Sequence, residues 1–179
     1  MSKGQRTRAA IVDAALEQAS AAGLEGLTIG ALAERMKMSK SGVFAHFGSR
    51  EDLQIAVLQA YEQRFVGDVL KAALPESRGL PRLVRLLRHW LARTEAEANR
   101  RGCIWISGAS EYDDRPGAVC DELVRMIDGW RAELGRAIDL AISEGHLVAA
   151  TRADELIFNI NGVILALHHD ARLLRSPDA

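Results

Sequence analysis

What the sequence has little of narrows the field first. Cysteine occurs twice in 179 residues, at Cys103 and Cys120, too rarely for a disulfide framework and without the CxxC spacing of a zinc site. The first ten residues are polar and basic with no apolar run, so no signal peptide is read there. The most apolar stretch, Leu156 to Leu167, includes two asparagines and falls short of the roughly 20 residues that cross a bilayer. These absences give the expectation of a reduced, cytoplasmic protein. Nucleophile-elbow, zinc-protease, P-loop and dinucleotide-binding signatures are missing from a strand–turn–helix setting. Cys120 has no recognisable histidine partner, and successive residues of a helix such as His168, His169 and Asp170 point about 100° apart, which suits a shared metal poorly. The chain is therefore expected to be no enzyme and to need no metal or cofactor. Only four prolines interrupt it, which leaves room for long helices, and there is no internal repeat or low-complexity tract.

A composition of 48% hydrophobic and 26% charged residues is that of an ordinary globular protein, which argues against a disordered tail or a fibre. The net charge of −1 says nothing of nucleic acid, but its distribution does. Residues 1–50 hold seven Lys and Arg against four Asp and Glu, a balance of +3, and the rest of the chain carries −4. A basic first third on an acidic body suits a polyanionic partner for the former.

Almost every apolar pattern has helical period, which predicts an all-α fold. Val12, Ala15, Leu16 and Ala19 mark a helix over about residues 6–22 with Gly23 as its stop. Thr28 is the expected cap of a second helix bearing Ile29, Leu32, Ala33 and Met36. Ser39 caps a short third one carrying Val43, Phe44 and Phe47, which Gly48 ends. Ser49-Arg50-Glu51-Asp52 reads as a capping box opening a long fourth helix with Leu53, Val57, Ala60, Tyr61 and Phe65 on one stripe. After a break over Pro75 to Gly79, Leu80, Leu83, Val84, Leu87 and Leu91 define a fifth, with Arg82, Arg85 and Arg88 on its polar side. Residues 102–117 suggest a short helix and a turn, and a long helix then ends near Gly145. The last helix, about Ala153 to Leu174, is apolar on two faces, one of them through Phe158, Asn161, Leu165 and His168. Such a helix is expected to be covered on two sides, either as the central helix of a monomer or by its own core and a dimer partner. Asp113 and Asp114 are expected to cap the long helix rather than hold a metal or a cationic ligand.

Two short helices about the turn Met36-Lys37-Met38-Ser39 have the layout of a helix-turn-helix, whose second helix enters the major groove of DNA. Ser39, Lys40, Ser41 and Gly42 open that second helix with donors, one cation and little bulk.

The segment TIGALAERMKMSKSGVFAHFGSREDL, residues 28–53, resembles the DNA-binding segment of TetR/AcrR-type transcriptional regulators, through Thr28, Leu32, Ala33, Ser39, Phe44, His46, Phe47, Glu51 and Leu53. The segment GCIWISGASEYDDRPG is similar to one in some members. Lys37 stands where the family's turn usually has glycine, at an expected cost of about 1 kcal/mol if its φ is positive. Ala45 stands where an aromatic residue or histidine is usual.

The resemblance implies a helix-turn-helix DNA-binding domain over residues 1–48 and a helical effector-binding and dimerisation domain over 49–179. By the same resemblance Lys40, Ser41 and Gly42 would lie nearest the bases, with Ser39, Phe44 and His46 close by. Thr28 and Arg50 would hold phosphates, and Arg6 and Arg8 would reach the backbone or a minor groove. Phe47 is expected in the core. Trp90, Trp105, Tyr112, Met126, Trp130, Phe158, Asn161 and His168 are candidates to line an effector pocket, although Trp and Met at helical spacing also suit a core. An amide such as Asn161 on an apolar face needs a partner, whether a ligand, a helix carbonyl or a dimer mate. The expected function is that of a repressor released from a palindromic operator in double-stranded DNA by a small lipophilic or aromatic effector, acting as a homodimer. A helical ligand-binding or protein-interaction protein without specific DNA binding is the alternative. Family members usually carry one helix more, so the dimer is expected to rest on the last two long helices here, or the chain is shortened.

Overall fold

Hydroxyl side chains set the starts of the first four helices. Ser2, Thr28, Ser39 and Ser49 each accept a hydrogen bond from the backbone N–H three residues on, at Gln5, Ala31, Gly42 and Asp52, with distances of 2.9 to 3.2 Å. Each bond satisfies one of the N–H groups that a helix N-terminus leaves without a partner. The computed structural model describes residues 2–100 and 102–176, and among these it contains eight α-helices and no strand. They are α1 (Lys3–Ala22), α2 (Ile29–Met36), α3 (Lys40–Phe47), α4 (Arg50–Phe65), α5 (Leu80–Arg100), α6 (Ile104–Tyr112), α7 (Ala118–Ser143) and α8 (Ala153–His169). Two π-helical segments, Val66–Lys71 and Asp170–Leu174, continue α4 and α8.

The packing divides into two units. Unit 1 comprises residues 1–63 and 103–124, and unit 2 comprises residues 64–102 and 125–179. The expected functional boundary at 48/49 therefore falls inside unit 1, whose extent brings α6 and the start of α7 together with α1–α4. In unit 1, Ile11, Ala15 and Ala19 of α1 are fully buried, as are Leu24 and Leu27 of the following loop and Leu32, Val43 and Leu53 of the next three helices. A Cβ on Gly108 of α6 would lie 3.1 Å from Leu24 and 3.2 Å from Leu123, so glycine lets α6 sit directly on that core.

In unit 2 three aromatic rings meet edge to face. Phe65 and Trp130 have ring centroids 4.7 Å apart, and Trp90 and Trp130 4.9 Å. Met126, Leu134, Ile138 and Ala141 extend this core along α7. Gly135 lets α7 and α8 approach, with Ile157 Cδ1 3.6 Å from where a Cβ would stand. Of α8, Ile164 is buried, whereas Phe158 is 72% and Leu165 53% exposed, so the apolar residues of the second face are bare in the single chain.

Two sequence expectations are corrected here. Asp113 and Asp114 do not cap α7. Asp113 is the C-cap of α6 and its Oδ1 accepts from the Asp114 N–H, while α7 starts beyond Gly117. The helix start expected at about Arg6 lies at Lys3, because Ser2 and Gln5 form a reciprocal capping box.

Lys37 occupies the left-handed region at φ 52°, ψ 42°, where a side chain crowds its own backbone. Lys37→Gly is expected to raise stability by about 1 kcal/mol, measured as a higher urea midpoint at unchanged slope.

Candidate functional site

The turn between α2 and α3 presents the first turn of α3 outward. Lys40, Ser41, Phe44 and Ala45 are exposed, while Val43 and Phe47 on the opposite side of the same helix are buried. With Ile29 of α2, the four exposed residues line an open hollow of about 410 Å³. Ser39 Oγ, which caps the helix, stands 3.1 Å from Ser41 Oγ. The site thus combines one cation, two hydroxyls and an apolar floor at the N-terminal end of a helix, where backbone dipoles favour negative charge. Phe44 is 49% exposed, an unusual position for a phenylalanine with no covering residue.

The other candidates for DNA contact sit around this point in different states. Thr28 and Ser39 use their oxygens as helix caps, and the Ser39 hydroxyl also shares a hydrogen bond with Ser41. His46 is half-buried beside Phe47, with ring centroids 6.4 Å apart. Arg6 is exposed on α1, and the Arg8 guanidinium lies 4.9 Å from the centre of the Phe47 ring, a cation–π contact. Gly42 gives its N–H to Ser39.

Arg50 is committed within the chain. Its Nε donates to the Leu27 carbonyl at 2.9 Å and its Nη2 to the Glu25 carbonyl at 2.6 Å, with the Glu25 carboxylate 3.4 Å away. It therefore ties the start of α4 to the loop between α1 and α2. Glu25 also receives the Tyr112 hydroxyl at 2.5 Å and faces Arg115 at 3.2 Å, and the Glu25 N–H donates to the Glu111 carboxylate at 3.0 Å. The Tyr112 hydrogen bond, followed by the charges of Arg50 and Arg115, holds the Glu25 carboxyl below the usual range. Burial first, and then the Glu25 hydrogen bond and charge, push the Tyr112 phenol up to about 12.

The residues expected to line an effector pocket do not gather in one place. Trp105 and Tyr112 belong to unit 1, where Trp105 packs edge-on against Tyr61 at 5.3 Å. In unit 2, Trp90 and Trp130 meet in the aromatic cluster, which Phe65 completes, and Met126 is buried. The Trp130 Nε1–H is buried without a hydrogen-bond partner among the described residues. Asn161 donates its Nδ2 proton to the Ile157 carbonyl of its own helix at 2.8 Å. Phe158 is bare, and partial burial followed by the Arg172 charge lowers the His168 pKa. Among the described residues no cluster of His, Cys, Asp or Glu is arranged to hold a metal, and no helix is long and apolar enough to cross a membrane. Sequence periodicity alone does not single out Glu25 or the Phe65 contact, since each depends on a partner more than 60 residues away.

Tyr112 holds its proton more tightly folded than unfolded, so its contribution is complete below pH 10 and is lost as pH rises from 10 towards 12. Tyr112→Phe is expected to cost about 1.5 kcal/mol at pH 8, the worth of a hydrogen bond to a charged group. The gap to wild type in urea unfolding should narrow over that alkaline window.

Comparison with known proteins agrees with this geometry. A family model described as "Bacterial regulatory proteins, tetR family" matches residues 11–57. Another, "Tetracyclin repressor-like, C-terminal domain", matches residues 79–179. No curated protein matches the sequence. A TetR transcriptional regulator from Chloroflexus aurantiacus J-10-FL superposes with a TM-score of 0.87 at 23% identity, over 98% of this chain and 89% of that one. The regulator AibR, solved with isovaleryl coenzyme A and operator DNA, superposes with a TM-score of 0.73 at 19% identity, over 90% and 85% of the two chains. A regulator from Saccharomonospora viridis, solved with choline, gives 0.78 at 19% identity, over 93% and 85%. With its helix-turn-helix segment and more than half of its length matched, the chain belongs to the TetR family of bacterial transcriptional regulators, proteins that bind DNA and are not enzymes.

Proposed function

We propose that this protein is a ligand-responsive repressor. It acts in the cytoplasm as a homodimer on a palindromic operator and is released by a small lipophilic or aromatic effector. The observation that carries the reading is the exposed outer face of α3, with Lys40, Ser41, Phe44 and Ala45 around an apolar hollow. Lys40 and Ser41 have the donors to contact base edges, and the Phe44 ring offers an apolar surface to a thymine methyl in the major groove. The hydroxyls of Thr28 and Ser39 and the cations of Arg6 and Arg8 supply phosphate contacts around it. Arg50 braces the domain from within rather than serving as an open phosphate ligand, since its guanidinium is held by two loop carbonyls.

The effector reading rests on unit 2, where the buried Trp130 N–H offers an unused donor to an acceptor atom within an otherwise apolar cluster. AibR with isovaleryl coenzyme A and the choline-bound regulator are relatives in fold solved with unlike ligands, so the preference for an apolar effector comes from this chain's own aromatic rings. Effector binding lowers DNA affinity only to the extent that it favours the conformation that binds DNA less well. The bare face of α8 with Phe158 and Leu165 supports a second copy as its cover, since burying each such side chain is worth about 1.5–3 kcal/mol.

Selection from a random duplex pool should enrich a palindrome whose affinity falls steeply with salt, by about 0.9 log units per log unit of salt for each phosphate contact. Lys40→Ala should weaken the selected duplex by about 1–3 kcal/mol in a fluorescence titration. Failure to enrich any sequence, with only weak salt-sensitive binding, would favour a helical protein without specific DNA recognition. Light scattering should give twice the chain mass of 19.6 kDa for wild type and the single-chain mass for Phe158→Glu.

A further inference from the structure

The fifth helix carries a second candidate site that the DNA-binding reading does not use. Pro81, Val84, Arg85 and Arg88 fall at i, i+3, i+4 and i+7 and so share one face of α5. With Leu80, Glu76 and His146 they line an open cleft of about 430 Å³, within the size range of small-molecule sites. Its lining combines the apolar Leu80, Pro81 and Val84 with the cationic Arg85 and Arg88.

Its cations are not spoken for. Of the four arginines around the start of α5, Arg82 grips the Glu76 carbonyl through Nε and Nη2 at 3.1 and 2.8 Å, and Arg78 lies 3.9 Å from Glu144. Arg85 and Arg88 make no ion pair among the described residues, although the Glu76 carboxylate borders the same cleft. The two arginines of the lining outweigh that one carboxylate in charge.

His146 is set into the cleft by the backbone. Gly145, at φ 71°, ends α7 with a bond from the His146 N–H to the Ala141 carbonyl and one from the Gly145 N–H to the Ile142 carbonyl, the Schellman arrangement. That turn delivers the imidazole to the start of α5, where Nδ1 accepts the Leu80 N–H at 3.2 Å. A Cβ on Gly79 would overlap the ring, so glycine makes the seat. With Nδ1 as acceptor, the neutral ring carries its proton on Nε2, which adds a fixed donor to the two guanidiniums.

We infer that this cleft binds an amphipathic organic anion, with a carboxylate or phosphate head between Arg85, Arg88 and His146 and an apolar arm against Leu80, Pro81 and Val84. Forked guanidiniums pair in bidentate fashion with either head group. The inference stands apart from DNA binding and from the aromatic cluster, because it shares no residue with either.

The test is a titration of the full-length ¹⁵N-labelled protein with hexanoate, hexyl phosphate, hexanol and inorganic phosphate, following the Leu80 amide and the His146 ring signals. Hexanoate or hexyl phosphate should move both signals saturably below about 20 mM, with whichever binds tighter identifying the head group. Arg85→Gln/Arg88→Gln should weaken that binding at least about 10-fold. Both side chains are exposed, and an unchanged circular dichroism spectrum confirms the fold of the variant. The inference is overturned if hexanol moves the same signals as strongly, if inorganic phosphate binds as tightly as hexyl phosphate, if the double variant binds like wild type, or if the Leu80 amide stays still throughout.

Discussion

Between α1 and α2 the chain leaves the helix for six residues, 23–28, and every buried backbone group there needs a partner that no helix supplies. Side chains from three helices answer that need. Gln18 of α1 reaches the Gly26 carbonyl, Gln54 of α4 the Leu24 carbonyl, and Arg50 of α4 the carbonyls of Glu25 and Leu27, while Glu111 of α6 takes the Glu25 N–H. Leu24 and Leu27, fully buried, point this loop into the core. The dependence runs outward from here, because α2 and α3 have eight residues each and helices that short are not stable alone. Their orientation, and with it the presentation of Lys40 and Phe44, is inherited from the loop beneath them.

Unit 2 solves a different problem. Its core is built from large rings in edge-to-face contact, an arrangement worth about 0.5–1.5 kcal/mol per pair beyond the area buried. Among the described residues it leaves the Trp130 indole N–H without an acceptor, a cost that a well-filled structural core avoids. The bare side of α8 and the open space around Gly162 leave apolar surface uncovered among the described residues.

Much of this architecture was legible in the sequence, and the physical reason is locality. Thr28, Ser39 and Ser49 act on groups three residues away, so their spacing marks helix starts without reference to the rest of the chain. The same holds for Gly23, Gly48 and Gly145 as stops, and for Lys37, whose left-handed backbone follows from the turn it must make. What escaped local reading depends on distant partners. The hold of Arg50 on the Leu27 and Glu25 carbonyls and the Tyr112 hydrogen bond to Glu25, 87 residues away, are invisible until those distant partners arrive. The π-helical segments at Val66–Lys71 and Asp170–Leu174 preserve the apolar stripe closely enough that periodicity does not separate them from α-helix.

The seating of α6 on Leu24 through Gly108 bears on how such proteins diversify. A DNA-binding head that ended at residue 48 could be traded between relatives as a cassette. Here the head owns a piece of chain that arrives 55 residues later, including the glycine, Glu111 and Tyr112 that close its loop. Recombination at a single crossover separates these matched halves, whereas changes confined to the outward side chains of α3 leave them intact. If the outward face of α3 contacts DNA as proposed, that contact is free to drift by point substitution, while the head and its late-arriving segment are held to evolve as a pair.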